Sequence, residues 1–274
     1  MRYLAPARES VDGRVFARPP LSLWNDYADL LRGDWPDVAA LNARRSDEAA
    51  HFVAQTPELL ADGLHYEQRI FERGEIATRE RNWHDLLNAM VWLRFPQLKR
   101  ALNSRQVCEI AKTGPKYRTR AQCALTHFDE AGVVVALRDR TLLALWDEHD
   151  WVGLFWRERA AWSDGRIEAV VFGHALLEHA LSPAQMLTGK ALAIVLPKIA
   201  NVENALDATV QAIRGGLALN DPQELRPLPL SGIPGWHASS GGEDFHRKAA
   251  CFRPLRAGRM YPAPLENSGL HPHI

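Results

Sequence analysis

The segment Trp83–Phe95 restricts the fold more than any other part of the chain. On a helical wheel Trp83, Leu86, Leu87, Met90, Val91, Trp92, Leu93 and Phe95 cover nearly every direction. A helix that is apolar all round must be covered on every side, so the remaining elements have to wrap around this one. His84, Asp85 and Asn88 share one arc, and Trp92 and Phe95 fall on the same arc. A histidine, an aspartate and an asparagine thus face a dry, aromatic-lined space, where burial shifts imidazole and carboxyl pKa values and marks a candidate site. A structural reading stands beside this one. Asn82 is a good N-cap, Asp85 falls at the third helical position as in a capping box, and His84 can be a satisfied core histidine.

With 274 residues and 46% hydrophobic composition, the chain can fill a sizeable core. Nine Trp residues supply large apolar bodies for core and pocket walls. Lys plus Arg equals Asp plus Glu, at 33 each, which lacks the positive excess of a dedicated nucleic-acid binder. Nucleic acid is therefore disfavoured, with a local contact through a basic loop left open. Cys108, Cys123 and Cys251 are odd in number and widely spaced, so neither a disulfide framework nor a structural zinc site is expected. Residues 1–20 contain no signal-peptide apolar run, and the longest apolar run, Ala191–Leu196, is too short to span a bilayer. The expected location is the cytoplasm, with no membrane contact.

The pattern predicts an α+β fold: a mostly helical single domain with a small, largely antiparallel sheet and a Pro-rich C-terminal wrap. Residues 1–20 form an extended lead-in, and residues 21–254 the domain. Helices are expected at Leu21–Arg32, after the N-cap Asp34, at Trp83–Phe95, Gln97–Ala111, Thr141–Glu148, Trp151–Ala161, from Gly173 to Leu181, and at Val202–Leu219. Strands are expected at His51–Gln55, His65–Glu72, Glu75–Thr78, Ile167–Phe172 and Ala191–Leu196. Ala124–Phe128 and Val133–Leu137 flank Asp129-Glu130-Ala131-Gly132, which reads as a hairpin tip. Lys112–Arg120 reads as an exposed basic loop. Eight of the 17 prolines lie beyond Asp221. Residues 221–254 are expected as an irregular wrap anchored by Trp236, Phe245 and Phe252, and 255–274 as a loose tail.

Asn82-Trp83-His84-Asp85, within Arg79–Phe95, resembles the hallmark of a proteobacterial family catalogued as domain of unknown function 3025 (DUF3025). Further matching pieces are Tyr66-Glu67 with Arg69-Ile70, Lys99 with Ala101-Leu102-Asn103, and Leu125-Thr126 before Phe128-Asp129-Glu130. Later come Phe172-Gly173-His174-Ala175-Leu176 with Glu178, Gly232-Ile233-Pro234-Gly235-Trp236, and Phe252-Arg253-Pro254. Cys123 and His127 depart from the family's pattern, which often has an acidic and an apolar residue there. The resemblance implies a bacterial cytoplasmic protein and supplies no known activity.

A second constellation follows the strand Ile167–Phe172. Gly173 leads into a helix whose His174 and Glu178, four residues apart, share one face. That spacing suits a metal ion or a carboxylate-oriented imidazole. The same residues equally suit a solvated face opposite Leu176, Leu177 and Leu181. The expected catalytic residues are His84, Asp85, His174 and Glu178, with His84, His174 and Glu178 as candidate ligands of a divalent metal. Arg79, Arg81, Asn88, Asp129 and Trp236 are the candidate substrate-binding residues for a small molecule, although Trp236 equally suits an anchor of the wrap. The expected function is an enzyme of hydrolase or lyase type using a His/Asp/Glu cluster. The alternative is a non-enzymatic binding module for a protein partner or an anionic ligand. The enzyme reading requires the His84 and His174 side chains to converge in one pocket.

Overall fold

The computed structural model describes residues 3–46, 48–114 and 117–266. The chain is mostly helical with a smaller mixed sheet. Short 3-10 turns at Arg8–Ser10, Gly13–Ala17 and Leu21–Tyr27 lead into α1 (Ala28–Leu31) and α2 (Val38–Asn42). Next come β1 (His51–Ala54), α3 (Pro57–Leu60), α4 (Tyr66–Arg73), β2 (Glu75–Thr78), α5 (Trp83–Arg94), α6 (Pro96–Thr113) and α7 (Arg120–Ala131). β3 (Gly132–Leu137), α8 (Thr141–Asp147), β4 (Ile167–Val171), α9 (His174–His179) and β5 (Thr188–Val195) follow. The chain then forms α10 (Val202–Arg214), β6 (Arg226–Pro229), α11 (Glu243–Lys248) and β7 (Leu265–Glu266). No helix among the described residues is long and apolar enough to cross a membrane.

The main sheet has the order β4-β3-β5-β6, and β7 adds to the far end of β5. β3 is buried along its whole length, as its unbroken Val-Val-Val-Ala-Leu run demands of a central strand covered on both faces. The expected largely antiparallel sheet is corrected to a mixed one. β3/β4 and β5/β6 are antiparallel, but β3/β5 and β5/β7 are parallel, and β1 and β2 form a separate parallel pair. The crossover through α9 is the cause, because it carries the chain past β3 and returns it in the direction of β3.

α5 is the buried helix that its composition requires. Asn82 caps it, accepting the Asp85 amide at 3.1 Å, and Leu87, Met90 and Val91 are wholly inaccessible. α6 follows directly because Pro96 can occupy a first-turn position, where no amide proton is needed. At the opposite pole of the site, α7 ends against β3. The carbonyl of Gly132 accepts both Phe172 N and Gly173 N at 2.9 Å, which draws the start of α9 onto the end of α7.

Several expected elements are corrected. His65–Glu72 is helix α4 rather than a strand: Tyr66, Arg69, Ile70 and Arg73 fall at helical spacing, His65 caps the start, and Gly74 ends it at φ 69°. The hairpin at 124–137 is instead α7 running into β3. Thr119 and Gln122 form a reciprocal capping box, and Ala121, Ala124, Leu125 and Phe128 make one buried stripe. Asp129 and Glu130 thereby move from a turn tip to the last turn of a helix. Leu21–Arg32 starts as a 3-10 segment broken at Trp24, and Asp37 rather than Asp34 caps the following helix. Trp151–Ala161 contains a π turn at Gly153–Arg157 and then 3-10 geometry, while the helix expected to reach Leu219 stops at Arg214 before Gly215-Gly216.

The expected wrap contains β6 and α11, with Phe252 buried and Phe245 packed edge-on against it at 5.4 Å. Residues 255–266 are held rather than loose: Arg226 donates to Pro262 O at 2.7 Å and β7 pairs with β5. Residues 267–274 lie outside the described residues, as do Pro115 and Lys116 of the expected basic loop.

The Gly132–Gly173 crossing gives a direct test. A Cβ on Gly173 would lie 2.4 Å from Gly132 N and 2.5 Å from Ala131 Cα, and neither backbone atom can swing aside. Gly173→Ala is expected to destabilise by about 2–3 kcal/mol in denaturant unfolding. Gly241→Ala, where a Cβ meets nothing within 4 Å, should stay within about 0.5 kcal/mol. Equal stability of the two variants would contradict the close backbone approach.

Candidate metal centre

Three helices converge at this crossing. α5 packs against α9, which places His84 over His174, and the last turn of α7 brings Asp129 and Glu130 to the same point. The two imidazoles meet edge to face, with ring centroids 4.5 Å apart and the Nε2 atoms 3.1 Å apart. Glu178 Oε2 lies 2.9 Å from His84 Nδ1, and Glu130 Oε2 lies 3.7 Å from His174 Nε2. His174 Nδ1 is buried without a hydrogen-bond partner, 3.8 Å from Asp129 Oδ2.

Asp129 is itself engaged. Lys99 Nζ, from α6, donates to Asp129 Oδ1 at 2.6 Å and to Asn88 Oδ1 at 2.9 Å, and Asn88 Nδ2 donates to the Tyr66 hydroxyl at 3.0 Å. Lys99 is buried, so its ammonium requires these partners; burying an unpaired charge would cost several kcal/mol. Beside this chain, Asn103 Nδ2 donates to Glu67 Oε2 at 2.7 Å. Together these groups line a polar cavity of about 340 Å³, with Trp92 and Leu102 among its apolar walls.

The electrostatics follow from enclosure. Burial lowers the His174 pKa to about 3, so this ring is neutral. The bond from Glu178 raises the His84 pKa against burial. Burial also raises Glu130. For Asp129 burial pushes upward, but the Lys99 ammonium together with the two imidazoles outweighs it and the carboxyl ends below its ordinary value. Burial raises the Tyr66 phenol and carries Glu67 up to about 7.

His84, Glu130 and His174 each offer one ligand atom, all within 4.8 Å of one another. Ligand atoms that share an ion at about 2.0–2.2 Å stand roughly 3.0–3.4 Å apart, which the two Nε2 atoms already do. Glu130, the most exposed of the three, would close the remaining gap. Two neutral rings in this geometry conflict in their protons. With neutral rings, His84 Nδ1–H donates to Glu178 and leaves its Nε2 lone pair facing His174. If His174 carries its proton on Nδ1, two lone pairs meet at 3.1 Å. If it carries the proton on Nε2, a bare buried Nδ1 faces the Asp129 carboxylate. A positive charge between the Nε2 atoms relieves both conflicts, supplied either by a metal ion or by a proton on His84 Nε2 donated to His174. The cluster can therefore coordinate a metal ion.

The expected residues divide clearly. His84, His174 and Glu178 come together, with Glu178 on the distal nitrogen of His84 rather than among the three converging donors. Asn88, Asp129 and Arg79 line the cavity. Asp85 also reaches its wall, but Arg79 saturates it, with the Arg79 backbone N at 2.7 Å and Nη2 at 2.8 Å. Arg81 is exposed, adopts φ 53° and lies outside this cavity. Trp236 lines a different cavity, with Arg18 and Leu187. The pattern missed Glu130 as a donor, and with it Tyr66, Glu67, Lys99 and Asn103. Its available signal was the Thr-x-x-Gln capping box, which makes α7 a helix and turns Asp129 and Glu130 toward α9.

The model of the family described as Protein of unknown function (DUF3025) matches residues 50–256. The chain belongs to that family. The DUF3025 match spans the whole cluster, from Tyr66 on α4 to Glu178 on α9. No curated protein and no solved structure matches the chain.

Glu67 supplies a test of this cavity's polarity. Its folded pKa of about 7, against the ordinary 4.5, means that the folded chain keeps a proton that the unfolded chain releases. Stability should fall as pH rises from 4.5 to 7 and stay low above that window. Glu67→Gln keeps an acceptor for Asn103 and removes the ionisation. It should match the parent at pH values below the ordinary carboxyl range and exceed it by about 2–3 kcal/mol above neutrality in urea unfolding. A pH-independent difference would show that Glu67 is not proton-linked to folding.

Proposed function

We propose that this DUF3025 protein is a metal-assisted enzyme of hydrolase or lyase type, with His84, His174 and Glu130 as ligands of one divalent ion. The observation that carries the reading is the pair of Nε2 atoms 3.1 Å apart beside a third donor, with a carboxylate behind each ring. Ligating histidines usually give their other nitrogen to a carboxylate, which fixes the tautomer and raises ligand basicity. Glu178 has that position for His84, and Asp129, held by Lys99, approaches it for His174. Both are positioning residues in this reading.

Two imidazoles and one carboxylate leave coordination positions for water and substrate, the pattern of catalytic rather than structural sites. An ion bound there would polarise a carbonyl or phosphoryl oxygen, or lower the pKa of a water. The protein groups around it define the substrate's footprint. Asn88 and Tyr66 offer polar contacts along the wall, and the Arg79 guanidinium stands half exposed at the rim with its Nη1 unbonded among the described residues. Asp85, expected as catalytic, instead holds Arg79 in place. A small polar molecule with an acceptor group suits this cavity.

The test is metal stoichiometry of untagged protein after dialysis and reloading with zinc, manganese or cobalt, read by elemental analysis. About one ion per chain is expected. His84→Ala and His174→Ala should abolish loading while thermal melting still shows a cooperative fold. Glu178→Gln should weaken affinity by about 10–100-fold, as loss of an outer carboxylate does. A folded parent protein that retains none of these ions would sink the proposal.

A further inference from the structure

A second cavity, cationic in character, lies at the start of β5, where Lys190 is in register with Gly132 of β3. In β5 the side chains alternate, so Thr188 and Lys190 face outward while Gly189 and Ala191 face inward. Antiparallel β6 lies beside them, with Pro227 opposite Lys190. The C-terminal chain then crosses this outer surface as an arch. One foot is the Arg253 carbonyl, which accepts from Trp151 Nε1 at 2.8 Å and lies 3.0 Å from His149 Nδ1. The other is the Pro262 carbonyl, held by Arg226 at 2.7 Å, followed by β7 on β5. Beneath the arch a cavity of about 750 Å³ remains, within the range of small-molecule sites.

Its charge is one-sided. Lys190, Arg253, Arg256 and Arg259 all line it, and among the described residues no Asp or Glu does. The side chains of Lys190, Arg253 and Arg256 make no hydrogen bond or ion pair among the described residues. Arg259 is fixed, lying 4.4 Å from the ring centroid of Tyr261 and donating to Gln223 O. In a chain with no net charge, unpaired cations gathered around one concavity with no acidic residue in its described lining leave a positive local potential. Met186, Leu225 and Leu255 contribute an apolar stretch of wall, and Thr188 and Gln223 a polar one.

We propose that this cavity binds a small organic phosphate, its anionic head between Lys190 and the arch arginines and its apolar body against Met186, Leu225 and Leu255. Several cations around one space suit a group with two or more negative charges and many acceptor oxygens, and guanidinium forks match phosphate geometry. A monocarboxylate would leave most of that charge uncompensated. The inference is independent of the metal reading, because none of the three proposed ligands lines this cavity.

The test is isothermal titration of the full chain with inorganic pyrophosphate, a nucleoside diphosphate and an alkyl diphosphate. Saturable binding is expected, tighter for one of the organic diphosphates than for pyrophosphate. Lys190→Glu and Arg253→Glu should each weaken it by about tenfold or more, and His174→Ala should leave it unchanged. The identity of the tighter organic ligand distinguishes a nucleotide from an alkyl phosphate. No binding at millimolar concentration, binding indifferent to both charge reversals, or stronger binding of a single-stranded oligonucleotide would overturn the proposal.

Discussion

The Gly132 carbonyl, which accepts two amides from the Phe172-Gly173 turn, is the contact on which the site's geometry depends. It joins the end of α7 to the start of α9 at a separation that no side chain could share. Because both helices are fixed at their ends there, Asp129, Glu130 and His174 are set by backbone rather than by long flexible side chains. α5, buried on all sides, then supplies His84 from a helix that cannot shift without disturbing the core. Placement on rigid elements is what keeps a polar cluster in one geometry.

Much of this was legible in the sequence, and the exceptions have physical causes. The apolar circumference of Trp83–Phe95 required burial, and its polar arc contained His84 and Asn88, which do face the cavity. The convergence of His84 with His174 was likewise expected from two separate segments. Glu130 was not, because Ala124–Phe128 is a short segment whose period is ambiguous; the capping pair Thr119 and Gln122 separates helix from strand there. Asp85 shows the reverse difficulty. It lies on the polar arc, yet Arg79 reaches it from outside the helix, a contact that helical spacing cannot reveal.

Lys99 explains why so many acidic groups can share one enclosure. Glu67, Asp129 and Glu130 stand near one another, and burial opposes the ionisation of each. The ammonium is directed to Asp129, which ionises, while Glu67 has only the Asn103 amide as a close donor among the described residues and retains its proton to about pH 7. One buried cation therefore sorts similar carboxyl groups into different states. The charged one stands behind His174, where it can orient a ring that burial keeps neutral. A neutral imidazole is the form that offers a lone pair to an ion, so the same desolvation that makes the cluster costly to bury also keeps its donor available.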